Sequence, residues 1–149
     1  MGKKSRTVVN ARAGLRLVER FLIGGFLLVS SCGKIKQSPS QRIQDVEWYK
    51  LLPRNLVPPV SVALPMLEAG LGAAILVRSR PARSALASGG LMIGFSAAMQ
   101  SALWRNIVTD CGCFGSLSRS QVSEKLVVRN LILAIFAFDL SAANFGAER

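Results

Sequence analysis

Asp110, Cys111, Gly112, Cys113, Phe114 and Gly115 form one contiguous stretch that carries two of the chain's three cysteines; the third is Cys32. Two thiols one residue apart suit dithiol–disulfide chemistry. A disulfide needs Cα atoms about 4.4–6.8 Å apart, while two extended residues span up to about 7 Å, so the pair can bond only if the chain turns at Gly112. The absence of a Cβ makes that turn accessible. So small a ring is expected to be strained, and strained disulfides exchange readily with an attacking thiolate. It also closes too short a loop to restrict the unfolded chain much, which favours transfer over reinforcement, although a structural disulfide remains the alternative. Asp110 opposes the thiolate and Arg105 favours it. Cys32 is either a resolving thiol for the pair or a small buried residue.

The chain contains no histidine. Three cysteines alone fall short of the four ligands that zinc or an iron–sulfur cluster normally takes, so no metal is expected. Proton transfer is left to carboxylates, thiols or water. Glu68 is the carboxylate to weigh, because it lies inside an apolar run. A charged carboxyl near mid-bilayer costs a few kcal/mol, so the group must be protonated, paired or turned inward, with Gln100, Arg105 and Lys34 as expected partners. It is a candidate proton or polar partner for the thiols, or else a helix–helix hydrogen bond that fixes packing. Asp139 is read as a solvated helix end.

These groups must be positioned by apolar helices. Half of the 149 residues are hydrophobic, and the mean hydropathy of +0.37 is too high for an ordinary soluble fold of this size. The 19 Lys and Arg against 8 Asp and Glu give a net charge of +11 and a pI near 10.9. They flank the apolar runs, which points to anionic lipid headgroups and away from nucleic acid. A helix of roughly 20 residues crosses a hydrocarbon core. Four spans are predicted, at about 15–35, 56–77, 84–105 and 124–145, behind a basic cytoplasmic tail over 1–14, all in one domain. The first spans only if Arg16, Glu19 and Arg20 reach the headgroups.

The connection between spans two and three is only Arg78 to Arg83, with Pro81 breaking the run, so these two helices form a hairpin. Gly90 and Gly94 at GxxxG spacing, with Ala69, Gly70, Gly72, Ala73 and Ala74 opposite, predict close packing between them. In the loop from Lys36 to Asn55, Ser38 and Pro39 signal a helix start. Ile43, Val46, Tyr49 and Leu52 repeat every three residues, and Pro53 stops the run. That pattern predicts a short amphipathic helix at the bilayer surface. Arg78, Arg80 and Arg83 in the hairpin, with Lys3, Lys4, Arg6, Arg12, Arg16 and Arg20 before the first span, favour both termini inside. Cys111, Cys113 and Cys32 would then share the extracytoplasmic side of a bacterial inner membrane, where disulfides persist. The basic N-terminus followed by Val29, Ser30, Ser31 and Cys32 also resembles a lipoprotein signal cleaved before Cys32, which would leave three spans.

Taken together, Gly33–Lys34, Tyr49 to Pro53, Leu64 to Gly70, Asp110 to Gly115 and Arg129–Asn130 make the chain similar to the MauE family, named for methylamine utilisation and grouped with DoxX-like four-helix membrane proteins. The resemblance implies an all-α integral membrane four-helix bundle. It also implies a redox-associated protein that works with a thioredoxin-like exported partner, the founding members helping to mature the disulfide-rich subunit of methylamine dehydrogenase. By position it implies Cys111 and Cys113 as the redox pair, with Asp110, Gly112, Phe114 and Gly115 completing the motif and Glu68 and Lys34 as supporting polar residues. Cys32 lies outside that pattern. No cofactor motif is identifiable, and nothing in the sequence supports a membrane quinone as acceptor. The expected function is membrane thiol–disulfide exchange in the maturation of exported proteins. The alternative is a non-catalytic scaffold whose Cys-Gly-Cys loop is structural. A transporter built on Glu68 has less support, because the spans show neither a broken helix nor an inverted repeat.

Overall fold

A computed structural model describes residues 2–78, 81–117 and 120–145, with residues 2–11 described by their backbone alone. The chain is all-helical: α1 (Gly2–Ile35), α2 (Pro39–Glu47), α3 (Val57–Leu76), α4 (Pro81–Trp104) and α5 (Glu124–Asn144), with a 3-10 turn at Gly115–Leu117. Three of these, α3, α4 and α5, are long and apolar enough to cross a membrane. Their outward side chains, among them Met66, Ile93 and Ile135, are large, apolar and exposed, as lipid contact requires.

Residues 2–14, within the expected basic tail, are helical. From Gly2 onward they continue α1, because no proline interrupts the chain before Pro39. Glu19 and Arg20 are both engaged within the helix assembly. Glu19 is buried on the same helix stripe as Ile23 and Leu27. The Arg20 guanidinium donates to the carbonyls of Ile75 at 3.1 and 3.2 Å and of Leu76 at 2.7 Å, satisfying the orphan acceptors at the end of α3. Of the basic residues that set the expected orientation, Arg80 and the side chains of Lys3, Lys4 and Arg6 lie outside the described residues.

The surface helix forms where its start signal stands. The Ser38 side chain accepts from the Gln41 N–H at 3.3 Å, with Pro39 in the first turn. It stops at Glu47, short of Tyr49 and Leu52, and the backbone turns with Lys50 at a φ of 49°.

Packing runs mainly between α1 and α3 and between α4 and α5, while α3 and α4 touch only sparsely. The close approaches follow this pairing and not the expected one. A Cβ on Gly72 would lie 3.0 Å from the Gly24 carbonyl oxygen, so the backbones of α1 and α3 meet there. Gly89 of α4 admits the Phe138 ring of α5, which a Cβ added there would meet at 2.8 Å. Gly90 and Gly94, expected to bring α3 and α4 together, face open space. Ile23, Leu27, Ile75, Met92, Ala137 and Leu140 form the main core, and Met99, Val127 and the two cysteines of the 111–113 loop form a second.

Candidate functional site: a buried disulfide beside a buried ion pair

Cys111 and Cys113 are bonded to each other with Cα atoms 5.3 Å apart, and Gly112 makes the turn at a φ of 64°. Only glycine adopts that conformation without a penalty. Both cysteines are buried, at 9% and 8% exposed. The loop that carries them is fixed from three directions. Its own backbone pairs Cys111 N–H with the Ser120 carbonyl at 2.8 Å and Val122 N–H with the Thr109 carbonyl at 3.0 Å, so that Asp110 bridges to Gln121. The Tyr49 hydroxyl, on the chain after α2, donates to the Cys111 carbonyl at 3.0 Å. Burial pushes that hydroxyl's pKa well up, and the charges of Asp45 and Asp110 add to the shift.

The third anchor is α1. Gly115 sits at a φ of 52° with its backbone so close to Gly33 that an added Cβ would lie 2.5 Å from the Gly33 carbonyl group. Ser116 donates to the Gly33 carbonyl at 3.1 Å. Phe114 meets Phe26 edge-on at 5.1 Å, and the Arg129 guanidinium of α5 lies 5.1 Å from the Phe26 ring and 5.3 Å from that of Phe114. Gly115 and Phe114 are therefore docking residues for the loop, while Gly112 makes its turn.

Glu68 is fully buried on the stripe of α3 that also carries Ser61, Pro65, Gly72 and Ile75. That stripe faces α1, so its partners are Lys34 and Ser30 of α1, and neither Gln100 nor Arg105. Lys34 forms an ion pair with Oε1, and the Ser30 hydroxyl lies 2.9 Å from Oε2. Arg105 is occupied at the surface with the carbonyls of Ser101, Tyr49 and Lys50, away from the thiols. The Ser30 hydroxyl also touches the Cys113 carbonyl oxygen, and the Lys34 ammonium stands 3.2 Å from Ser30 and 5.0 Å over the Phe95 ring. A continuous polar chain thus runs from Glu68 through Ser30 to the disulfide loop.

Cys32 is a free, exposed thiol. On α1 it points about 200° away from both Ser30 and Lys34, so the structure does not bring it to the pair. Asp139 is exposed, as expected. Sequence reasoning missed Ser30, Ser31 and Pro65. Pro65 sits inside α3, where its ring leaves the Ser61 carbonyl without its helical donor, and Ser31 donates to the Pro65 carbonyl at 2.7 Å. Two adjacent serines in an apolar helix, opposite a proline and a glutamate, are the signal that marks them.

A half-open cavity of about 270 Å³ borders the disulfide. Val60, Leu64, Phe95 and Met99 wall it, and Met99 Sδ lies 3.5 Å from Cys111 Sγ. Lys34, Gln37, Arg42 and Asp45 supply its polar end. Among the described residues, no three His, Cys, Asp or Glu side chains are grouped to hold a metal.

Three helices able to cross a membrane, with a bonded cysteine pair docked on them, define a helical membrane protein with an internal disulfide. A profile of the family described as "Methylamine utilisation protein MauE" matches residues 12–142, and the chain belongs to that family. It is 31% identical over 94 residues to the methylamine utilization protein MauE of Paracoccus denitrificans, covering 62% of this chain and 50% of that protein. The protein of the same name from Methylorubrum extorquens is 35% identical over 95 residues, again 62% of this chain and 50% of the relative. The chain thus spans about half the length of the curated relatives it matches. No solved structure matches it.

Proposed function

We propose that the chain is a membrane thiol–disulfide redox component. Cys111 and Cys113 cycle between bonded and reduced forms and exchange with an extracytoplasmic thioredoxin-like protein, in the maturation of disulfide-containing exported proteins. The methylamine-utilisation name of the relatives makes a dehydrogenase subunit of that pathway one candidate substrate. The observation that carries this reading is the bonded pair facing a half-open cavity, with the Lys34–Glu68 ion pair one serine away.

In this reading α1 supplies a fourth span over residues 15–35 and completes a four-helix bundle. Its exposed Phe21, Leu22 and Val29 support lipid contact. The end of α1 docks on the 111–116 loop, which places Cys32 and the pair at one end of the helices. With the basic hairpin and both termini inside, that end lies at the exterior of a bacterial inner membrane in this reading, and the density of arginines in the hairpin supports it. The test uses a membrane-impermeant thiol reagent on intact cells, with and without prior reduction, together with a Cys111→Ser/Cys113→Ser variant. The expected result is labelling of the pair only after reduction, and loss of exchange in a variant that still inserts. Unchanged exchange in that variant overturns the proposal.

The burial of both cysteines favours a second reading, a scaffold whose disulfide only pins the loop. Trapping a mixed disulfide between a single-cysteine variant and an exported partner decides between them, because a scaffold yields none.

A further inference from the structure

We infer that residues 37–50 form a lid over Cys111–Cys113, which lifts to admit a protein thiol and is latched shut by Arg105. The inference rests on the redox reading above and adds how a buried pair meets its partner. Exchange requires the partner's sulfur to touch Sγ of Cys111 or Cys113. Both residues are buried, so a folded protein reaches neither while the segment is down. The half-open cavity of about 270 Å³ beside them has room for a small thiol but not for a protein surface.

The wall of that cavity divides in two. Gln37, Arg42, Asp45, Val46 and Tyr49 form one side, and α3, α4 and the disulfide loop form most of the other. The first side also covers the pair itself. A Cβ added to Gly112 would lie 3.6 Å from that of Asp45, and Tyr49 packs on the cluster of Met99, Cys111 and Cys113. Yet this cover is thinly held: none of residues 38–56 is buried, and among the helices α2 packs mainly on α3. Segments with so few buried contacts open well below the cost of global unfolding. Non-helical backbone at residues 36–38 and 50–53 supplies a hinge at each end.

Two polar atoms oppose closure. Gln37 gives its amide N–H to Asp45 at 2.9 Å while its Oε1 stays buried and unpaired, and the Nε–H of Arg42 is buried without an acceptor. Both side chains line the underside of the segment, so lifting it lets water satisfy them. Closure is favoured at the far end of the lid. There the Arg105 guanidinium donates to the carbonyls of Tyr49 and Lys50, and the Tyr49 hydroxyl donates to the Cys111 carbonyl. Arg105 follows α4 directly, so the latch ties the lid to a membrane helix and leaves the thiols untouched.

The test uses the full chain in lipid nanodiscs with Cys32→Ser, so that no free thiol remains, and with spin labels on Gln44→Cys and Lys125→Cys, both exposed positions. Pulsed electron-spin distance measurement should find a main closed distance and a longer one from the lifted lid. Arg105→Ala, which removes the latch, should raise the ratio of lifted to closed at least about fivefold, and Arg42→Met, which removes an unpaired donor, should lower it. In the same variants without labels, the rate at which reduced thioredoxin reduces the disulfide should rise and fall with that ratio. The rate with dithiothreitol, which enters the cavity, should change far less. Distances that neither substitution alters overturn the lid, and thioredoxin reduction of every variant at one rate would then leave the redox reading standing. Distances that shift while thioredoxin reduces none of the variants support the lid and overturn the redox reading instead. Equal acceleration of thioredoxin and dithiothreitol by Arg105→Ala assigns the effect to a loosened disulfide loop and also overturns the lid.

Discussion

Lys34 and Glu68 form an ion pair across the α1–α3 interface, and Glu68 has no exposure at all. Breaking a buried pair from one side leaves a charge without its partner, which typically costs about 3–5 kcal/mol, whereas replacing both partners by apolar groups is close to neutral. Glu68→Ala should therefore lower the unfolding midpoint in detergent sharply. The double variant Lys34→Met/Glu68→Leu should recover most of the loss. Thermal unfolding followed by circular dichroism checks this. A double variant no better than the single one would assign the loss to packing alone.

Ser30 has one hydrogen to donate and two acceptors in reach, Glu68 Oε2 and the Cys113 carbonyl oxygen. Ser30→Ala removes the bridge and leaves a buried acceptor short of a donor, at a cost of about 1–3 kcal/mol. Because the lost contact anchors the cysteine loop, the expected result is faster reduction of the Cys111–Cys113 disulfide by dithiothreitol, by a few-fold or more. Thiol quantification over time measures it. Ser31→Ala, whose partner is the Pro65 carbonyl, should leave the rate unchanged.

Two patterns carried most of what was readable beforehand. Apolar run length located α3, α4 and α5 within a residue or a few of their ends, and the Ser38–Pro39 signal located α2. Helix pairing was not readable, because glycine spacing on one helix does not say which neighbour it meets: Gly90 and Gly94 have the motif spacing, yet Gly72 and Gly89 make the contacts. For Glu68, three polar candidates lay at plausible depth. Lys34 and not Arg105 became the partner because the Gly24–Gly72 approach turns the Glu68 stripe toward α1. The Cys-Gly-Cys turn was readable from chain geometry alone. Its burial was not, since the contacts that cover it come from residues as distant as Tyr49 and Ser30.

Gly115 and Gly94 make opposite predictions for the same substitution. At Gly115 the φ of 52° and the 2.5 Å approach to Gly33 leave no room for a side chain, so Gly115→Ala should displace the loop from α1. At Gly94 nothing lies within 4 Å, and alanine is favoured over glycine in a helix by up to about 1 kcal/mol, so Gly94→Ala should hold or raise stability. Unfolding midpoints of the two variants, with labelling of reduced Cys111 and Cys113, check the contrast. Equal behaviour would mean that the loop does not depend on its seat against Gly33.

Tyr49 links the seating of the loop to pH. Burial raises the pKa of its hydroxyl in the folded chain above the ordinary value of 10.0, with the charges of Asp45 and Asp110 adding to the shift. A raised folded pKa favours the protonated hydroxyl, so this contribution to stability is fully present below pH 10. Above that, the unfolded chain loses the proton first and the contribution declines as pH rises toward the folded value. The protonated hydroxyl is also the form that donates to the Cys111 carbonyl. Stability should therefore fall as the pH rises above about 10, more steeply than in Tyr49→Phe, which carries no titrating hydroxyl at this site. Tyr49→Phe should be less stable than the unaltered chain at pH 8 by about 1 kcal/mol, the usual worth of one hydrogen bond, and the two should converge as pH rises. Unfolding midpoints of both proteins across this range measure the difference, and parallel curves would remove Tyr49 from the loop's support.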